Sequence, residues 1–196
     1  MMRGGAIKTD RDICRIIEQD TWMMGILRDV RWLGLPDSWV CAGFVRAKVW
    51  DVLHGYEHRS FLPDVDVIYY DNRDVREETE KVLESKLRQM SPKVPWSVKN
   101  QARMHIVDDA PPYSSSFDAI ANFPETATAL AVRLTEADTV ELVAPWGVDD
   151  LIHLVVRPTP GFDGADAFKS RIYARRVATK GWQTTWPRLT ILRNSR

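Results

Sequence analysis

Two acidic residues two positions apart, Asp64 and Asp66, open a run that is otherwise apolar and aromatic, Asp-Val-Asp-Val-Ile-Tyr-Tyr at 64–70. Such a run predicts a strand, and residues two apart on a strand point to the same face. Two carboxylates held this close repel each other unless a cation lies between them. Hard oxygen ligands with no cysteine or histidine beside them suit Mg²⁺ or Mn²⁺. The pair therefore predicts a metal site for phosphoryl or nucleotidyl transfer.

An Asp-x-Asp pair on its own is more often a solvated strand edge than a site. Here Val65, Val67 and Ile68 predict a strand that is largely buried. Acidic side chains without partners are costly in such a strand, because burial removes their hydration. The apolar surroundings therefore favour the metal site over the solvated edge.

The elements around this strand alternate between helices and strands, which is typical of an α/β fold. A helix that begins with Asp10 as its cap is predicted to run to about Leu33. It is followed by predicted elements at 38–42 (strand), 44–56 (helix), 74–90 (helix) and 96–107 (strand). On the last of these strands, one face is expected to carry Val98, Asn100, Ala102 and Met104.

The second half of the chain is predicted to begin with two strands, at about 128–134 and 140–143, that pair antiparallel around a polar turn. A short helix at Asp149 and Asp150, a helix at 168–179 and a closing segment at 182–192 follow. The length of 196 residues predicts a single domain over 1–196. Its predicted parts are an N-terminal helix at about 10–33, a core at about 37–110 and a C-terminal extension at about 115–196.

The charges of the chain balance, since Lys and Arg number 27 and Asp and Glu number 27. This balance argues against bulk binding to nucleic acid or to an anionic membrane, both of which need a surplus of positive charge. The segment 168–196 differs, with eight Lys or Arg residues and no Asp or Glu. Its side chains are either solvated or form a basic face that steers phosphate-bearing ligands.

Cys14 and Cys41 lie in apolar runs, which predicts reduced packing residues rather than a disulfide. No apolar run reaches the ~18 residues that a membrane span requires. The first residues carry no apolar signal region. A cytoplasmic location without membrane association is therefore expected.

Longer motifs accompany the Asp-x-Asp strand over about residues 10–192. They are Ala42-Gly-Phe-Val-Arg46, Val49-Trp-Asp51, His54-Gly-Tyr56, Asp64-Val-Asp66, Lys99-Asn-Gln-Ala-Arg-Met-His105, Pro124-Glu-Thr-Ala-Thr128, Ala144-Pro-Trp-Gly-Val-Asp-Asp150, Arg157-Pro-Thr-Pro160 and Trp186-Pro-Arg-Leu189. Together they resemble a bacterial group of nucleotidyltransferase-like proteins, formerly described as a domain of unknown function. The order of strand, glycine turn, helix and Asp-x-Asp strand resembles the wider DNA polymerase β-like nucleotidyltransferase superfamily. The resemblance implies an α/β (α+β) fold with a mixed nucleotidyltransferase-type sheet and flanking helices.

The resemblance also implies that the turn at Gly43 enters a helix whose N-terminus faces a triphosphate. Free backbone N–H groups and the helix dipole favour an anion at such a turn. Phe44 stands where the superfamily usually has Ser or Gly, so the N–H groups of Gly43 and Phe44 would meet the phosphates without help from a hydroxyl. Arg46 is either a further phosphate ligand, through its guanidinium, or a helix-surface residue.

Active members of the superfamily usually supply a third acid from the next strand, where this chain has Asn100. An amide oxygen can ligate a metal or a ligand, but it cannot act as a general base. Asp64, Asp66 and Asn100 are thus the expected catalytic set, with Asp71 facing away from them. The implied function is metal-dependent transfer of a nucleoside monophosphate from an NTP to an unknown acceptor. The alternative is a nucleotide- or ligand-binding protein that kept the fold and lost turnover.

The hydroxyls of Thr126 and Thr128 lie at a turn introduced by Pro124. They are expected to face the carboxylate strand and bind a base or a ribose. The competing interpretation is that these threonines form a helix cap or a turn.

Overall fold

A computed structural model of the protein describes residues 7–108, 111–164 and 167–194. Its central sheet is built from β1 (Trp39–Cys41), β2 (Val65–Tyr69), β3 (Trp96–Asn100), β4 (Ala131–Leu134) and β5 (Val140–Val143). The strands lie in the order β3-β2-β1-β4-β5. β2 and β3 are parallel, and the other neighbours are antiparallel. The mixed sheet and the antiparallel pairing of β4 with β5 confirm the predicted fold class.

Helices flank this sheet along the chain. They are α1 (Asp10–Glu18), α2 (Thr21–Trp32), α3 (Gly43–His54), α4 (Glu77–Met90), α5 (Gln101–Asp108), α6 (Ser116–Ala121), α7 (Asp149–Ile152), α8 (Ala167–Lys180) and α9 (Trp182–Thr185). A 3₁₀ turn (Pro160–Phe162) precedes α8, and β6 (Val155–Val156) pairs in parallel with β7 (Thr190–Ile191). Of the helices described, none has the combined length and apolar character that crossing a membrane requires.

The single helix predicted over 10–33 is two helices, α1 and α2, and Asp20 is the reason. Asp20 adopts extended backbone angles, and its carboxylate accepts hydrogen bonds from the N–H groups of Trp22 and Met23, at 3.1 Å each. An aspartate in this position caps a new helix instead of continuing the old one. The cap of α1 is also one residue earlier than predicted, because Thr9 forms a capping box with Asp12.

The strand predicted over 96–107 ends at Asn100, and α5 begins directly after it. The Oδ1 atom of Asn100 accepts a hydrogen bond from the N–H of Ala102 at 3.1 Å, as a helix cap does. The alternation of polar and apolar residues beyond Asn100 therefore does not reflect a strand. Ala102 and Met104 belong to the helix and do not share a sheet face with Val98.

The two faces of the sheet have different surroundings. Val65 and Val67 of β2 point into the main hydrophobic cluster, which also contains Trp182 and Trp186 from the C-terminal part of the chain. Ile68 points to the other face, where a smaller cluster includes Ile120 of α6. Because side chains alternate along a strand, Asp64 and Asp66 lie on the same face as Ile68.

Candidate functional site

The carboxylates of Asp64 and Asp66 lie next to each other at the start of β2, and both side chains are half-buried. Burial, and then the neighbouring charge of Asp64, raise the pKa of the Asp66 carboxyl. Ser97, which is paired with Asp66 in the parallel register, donates a hydrogen bond that opposes this rise. Among the described residues, no ion pair involves either aspartate. The pair is therefore a concentration of negative charge without a protein cation in contact.

This donor set fits a hard divalent cation. The described part of the chain contains no group of three or more His, Cys, Asp or Glu residues that could hold a metal ion. Mg²⁺ nevertheless keeps several water ligands and is usually held by one or two carboxylates together with substrate phosphates. Asp64 and Asp66 would supply the protein ligands. The residue paired with Asp66 on β3 is Ser97, so the neighbouring strand presents no carboxylate beside Asp66.

The turn between β1 and α3 forms a second wall of the site. Ala42 has a φ of 52° and a ψ of −111°, a conformation that residues with a Cβ rarely adopt. α3 then begins at Gly43, and no side chain caps its first turn. The N–H groups of Gly43 and Phe44 are thus available to an anion at the positive end of a helix dipole. Only the backbone of Phe44 can take part, because its side chain is 1% exposed and packs against Trp22.

Arg46 forms the floor of the site and is buried, with 9% exposure, so it is not a helix-surface residue. Its guanidinium lies 5.2 Å from the ring centroid of Trp50 and 4.7 Å from that of Trp182, and it makes a cation–π contact with each of these two neighbouring rings. Burial lowers the pKa of Arg46 to about 10, so the side chain stays charged at neutral pH. Its Nε atom is buried and makes no hydrogen bond within the described residues.

A Cβ built on Gly43 would lie 3.6 Å from a terminal nitrogen of Arg46. The guanidinium is therefore directly beside the first turn of α3. A buried guanidinium beside free helix N–H groups has the chemistry that phosphate oxygens require.

A cleft of about 360 Å³ joins these walls. It is lined by Ala42, Gly43, Arg46, Phe61, Leu62, Pro63, Asp64, Asp66, Arg176, Lys180, Trp182, Thr185 and Trp186. The last five of these residues come from α8, α9 and the residue after α9. The sequence patterns do not predict these five residues as part of the site. The signal that points to their region is the segment 168–196, which is basic and contains no acidic residue.

Glu125 connects the cleft to the Pro124–Thr128 motif. Its carboxylate has no exposed surface and accepts hydrogen bonds from Nε of Arg176 at 2.8 Å and from the hydroxyl of Thr128 at 2.6 Å. Thr126 instead donates its hydroxyl hydrogen bond to Asp150 at 2.7 Å. Neither threonine lines the cleft: Thr128 bonds within its own turn, and Thr126 bonds to Asp150 of α7.

Asn100 lies apart from the carboxylate pair. It pairs in register with Tyr69, on the opposite face of the sheet from Asp66. Its amide nitrogen donates to the carbonyl oxygens of Asp71 and Asp74 at 2.7 and 2.8 Å. The structure therefore does not bring Asn100 to the site, and its side chain holds the segment after β2. The carboxylate of Asp71 is bound by Arg73 at 2.9 Å, away from the pair.

The sequence profile of a family described as nucleotidyltransferase matches residues 28–191 of the chain. An NMR structure described as revealing a CCA-adding enzyme head domain is 36% identical in sequence. It superposes with a TM-score of 0.86 over 96% of this chain and 98% of that one. No curated protein matches the sequence significantly.

More distant structural similarity extends to longer chains described as CCA-adding enzymes. A CCA-adding enzyme solved in complex with CTP matches 96% of this chain with 14% identity and a TM-score of 0.59. The Thermotoga maritima CCA-adding enzyme solved with tRNA matches 92% of this chain with 15% identity and a TM-score of 0.56. This chain spans 44% and 42% of the lengths of those two enzymes, respectively. At such identities the similarity is one of fold.

Proposed function

The chain belongs to the nucleotidyltransferase family, and from that premise we propose that it transfers a nucleoside monophosphate from an NTP to an acceptor hydroxyl. The observation that carries the proposal is the arrangement of opposite charges across one cleft. Two carboxylates that form no ion pair within the described residues, Asp64 and Asp66, line the same cleft as the buried guanidinium of Arg46, whose Nε lacks a hydrogen-bond partner there. Burying the carboxylate pair alone, or the guanidinium alone, costs free energy because each loses its hydration. A metal–triphosphate complex would satisfy the carboxylates and the guanidinium at once.

The transfer requires one bond to form and one to break. The acceptor oxygen attacks the α-phosphorus of the NTP and forms a new P–O bond. The bond from the α-phosphorus to the oxygen that bridges to the β-phosphorus breaks. Pyrophosphate leaves with that oxygen, and the proton of the acceptor passes to water. A bound Mg²⁺ or Mn²⁺ supplies stabilisation of the negative charge that develops on the phosphoryl oxygens.

The residues of this chain act mainly by position and charge. Asp64 and Asp66 would hold the metal ion, and the N–H groups of Gly43 and Phe44 would donate to phosphate oxygens. Arg46 would bind another phosphate oxygen, and its contacts with the indoles of Trp50 and Trp182 limit its movement. Groups that are ordered before the substrate arrives need no reorganisation during the reaction.

A second candidate function, binding of a nucleotide without turnover, is favoured by one observation. Ser97 stands beside Asp66 where a third carboxylate would be expected, and a serine hydroxyl is a poor general base at neutral pH. Such a protein would use the same residues to bind a nucleotide and its metal ion, and it would release no pyrophosphate.

The decisive experiment incubates the protein with labelled NTPs, Mg²⁺ or Mn²⁺ and a cell extract that supplies acceptors. Release of pyrophosphate is expected from the wild type and not from an Asp64→Ala/Asp66→Ala double variant. Asp71→Ala is the matched control, because this carboxylate follows the same strand and is bound by Arg73 outside the cleft. Nucleotide binding by calorimetry without pyrophosphate release would support the second candidate. The absence of both binding and release would refute both functions.

A further inference from the structure

A third wall of the cleft carries two cations from one helix, Arg176 and Lys180 of α8. They are four residues apart, so their side chains lie on the same helix face. Lys180 is close enough to the carboxylate pair to lower the pKa of Asp66. Arg176 is close enough to Arg46 for its charge to act on the pKa of that guanidinium. The two side chains thus face the same space as the carboxylates and the guanidinium.

Arg176 is held at this position by a buried carboxylate. Its Nε and one terminal nitrogen bind the two oxygens of Glu125, at 2.8 and 3.3 Å. Glu125 is fixed in turn by Thr128. A guanidinium carries five N–H groups in a rigid fork, so a pairing along one edge leaves other N–H groups free to donate. With 36% of its side chain exposed, Arg176 is half open to the cleft and half anchored.

We propose that Arg176 and Lys180 bind the outer phosphates of the nucleotide and hold the pyrophosphate leaving group. This inference rests on the proposed function and extends it to α8. Negative charge builds on the β-phosphate oxygens as the bond to the α-phosphorus breaks. Cations fixed beside those oxygens before the reaction stabilise that charge. Arg46 and the first turn of α3 would bind the phosphates from the floor and the second wall of the cleft.

The role of Glu125 follows from this geometry. It is a positioning residue, because it touches Arg176 and does not line the cleft. Glu125→Gln would keep the shape of the buried side chain and remove the charge that orients Arg176. Affinity for pyrophosphate should fall in this variant even though all three cations of the cleft remain.

The test measures calorimetric binding of Mg²⁺–pyrophosphate, Mg²⁺–ATP and AMP to the full chain. Lys180→Gln and Arg176→Gln should each weaken binding of pyrophosphate and ATP by about tenfold or more, since each removes a charged hydrogen-bond donor. Binding of AMP, which lacks the outer phosphates, should stay within about twofold of the wild type. Arg175→Gln is the matched control, because it removes the same charge from an exposed neighbour on the same helix.

Removing Arg176 leaves Glu125 buried without its cation and threatens folding. Lys180 is exposed and carries no such risk, so Lys180→Gln tests the inference even if Arg176→Gln does not fold. Arg176→Lys, which keeps the positive charge, should recover part of the lost affinity. If Lys180→Gln and the folded Arg176 variants bind pyrophosphate as Arg175→Gln does, the inference is wrong. If the Asp64→Ala/Asp66→Ala variant loses binding of Mg²⁺–ATP in that same experiment, only the inference about α8 fails, and the proposed function is not contradicted.

Discussion

Arg46 carries its charge in surroundings that disfavour it, and two indole rings compensate. Burial lowers the pKa of this guanidinium, while the nearby charges of Glu125, Asp64 and Asp66 act in the opposite direction. The faces of Trp50 and Trp182 stabilise the cation without neutralising it. The positive charge of Arg46 therefore remains available to a phosphate. In an ion pair, a carboxylate would already neutralise that charge.

Arg46→Lys tests whether the planar guanidinium is required. An ammonium keeps the charge but has no planar face to lay against an indole ring, and it cannot form a fork with phosphate oxygens. We expect the affinity for Mg²⁺–pyrophosphate to fall about tenfold, which corresponds to about 1.4 kcal/mol. Calorimetry measures this, with Arg133→Lys as control, since Arg133 lies 4.2 Å from the ring centroid of Trp39 outside the cleft. Equal affinities in the wild type and Arg46→Lys would show that charge alone is sufficient.

Asn100 provides the opposite case, a buried polar residue whose side chain makes four hydrogen bonds within the described residues, all of them structural. Its amide joins Asp71, Asp74 and Ala102. Asn100→Ala should lower the free energy of unfolding by about 3 kcal/mol, because it leaves buried backbone groups without partners. Urea denaturation measures this loss. Affinity for Mg²⁺–pyrophosphate, measured well below the unfolding temperature, should be unchanged. If the Asn100→Ala variant is as stable as the wild type but binds less pyrophosphate, the structural assignment is wrong and Asn100 takes part in ligand binding.

At the scale of elements, Asp20 links α2 to α3 and to the loop before β2. It caps α2, and its carboxylate also binds Lys48 and Arg59, each at 2.9 Å. Burial acts to raise the pKa of Asp20. The hydrogen bonds from Lys48 and Met23 and the charges of Lys48 and Arg59 outweigh that effect, so the pKa lies below its usual value.

Asp20→Asn separates the ion pairs from the cap, because asparagine caps helices about as well as aspartate. A carboxylate whose pKa is lowered by folding adds stability above its unfolded pKa of about 3.9. It loses that contribution as the pH falls through the folded pKa. We expect Asp20→Asn to be less stable by about 1–2 kcal/mol at pH 7, in the range of charged hydrogen bonds. The difference should shrink below about pH 4.

Urea denaturation between pH 7 and pH 3 measures this dependence. Asp138→Asn is the control, since Asp138 also binds two arginines but is 45% exposed, and its loss should matter less. A difference between Asp20→Asn and the wild type that is constant over this pH range would contradict the assignment.

The elements also show how far the sequence could predict the structure. The strand of Asp64 and Asp66, the helix after Gly43 and the β4–β5 pair follow from local patterns of apolar residues, and the structure contains them. The break at Asp20 and the end of β3 at Asn100 depend on single side chains that bind the backbone. Such bonds compete with the local pattern, and periodicity alone does not reveal them.

Of the residues that the sequence predicts for the site, those that are close together in sequence also line one cleft. Asp64, Asp66, Gly43 and Arg46 lie within one strand-turn-helix-strand unit, and the structure brings them to one cleft. Arg176 and Lys180 come from more than a hundred residues away, and only tertiary packing through Glu125 places Arg176 there. The register of β3 against β2 likewise decides that Ser97, and not Asn100, lies beside Asp66.

At the scale of the whole molecule, one hydrophobic cluster extends from Ile7 to Leu189 and includes residues of the predicted core and the predicted extension. Trp50 of α3 packs edge-on against Trp186, with ring centroids 5.1 Å apart. Because both walls of the cleft depend on this cluster, we expect the cleft to form only when the chain folds as a unit.

Trp186→Phe tests this dependence at the contact between distant parts of the chain. The indole N–H of Trp186 donates to the buried carboxylate of Asp51 at 2.8 Å, and that carboxylate also holds Ser60 in the loop that leads to Asp64. Phenylalanine lacks the N–H and leaves one bond of a buried charge unmade. The free energy of unfolding should fall by about 2–3 kcal/mol. Binding of Mg²⁺–pyrophosphate should weaken as well, because the loop before the carboxylate pair loses support.

Urea denaturation, followed by tryptophan fluorescence and by circular dichroism, measures the free energy of unfolding. Calorimetry on the same samples measures the affinity for Mg²⁺–pyrophosphate. Trp32→Phe is the matched control, since Trp32 is 67% exposed and its replacement should change neither quantity appreciably. The two spectroscopic transitions should coincide in the wild type and in both variants, as expected for one cooperative unit. Separate transitions would show that the C-terminal wall folds independently of the sheet. The cleft would then be an interface between two units, and Trp186→Phe would weaken binding by loosening their contact.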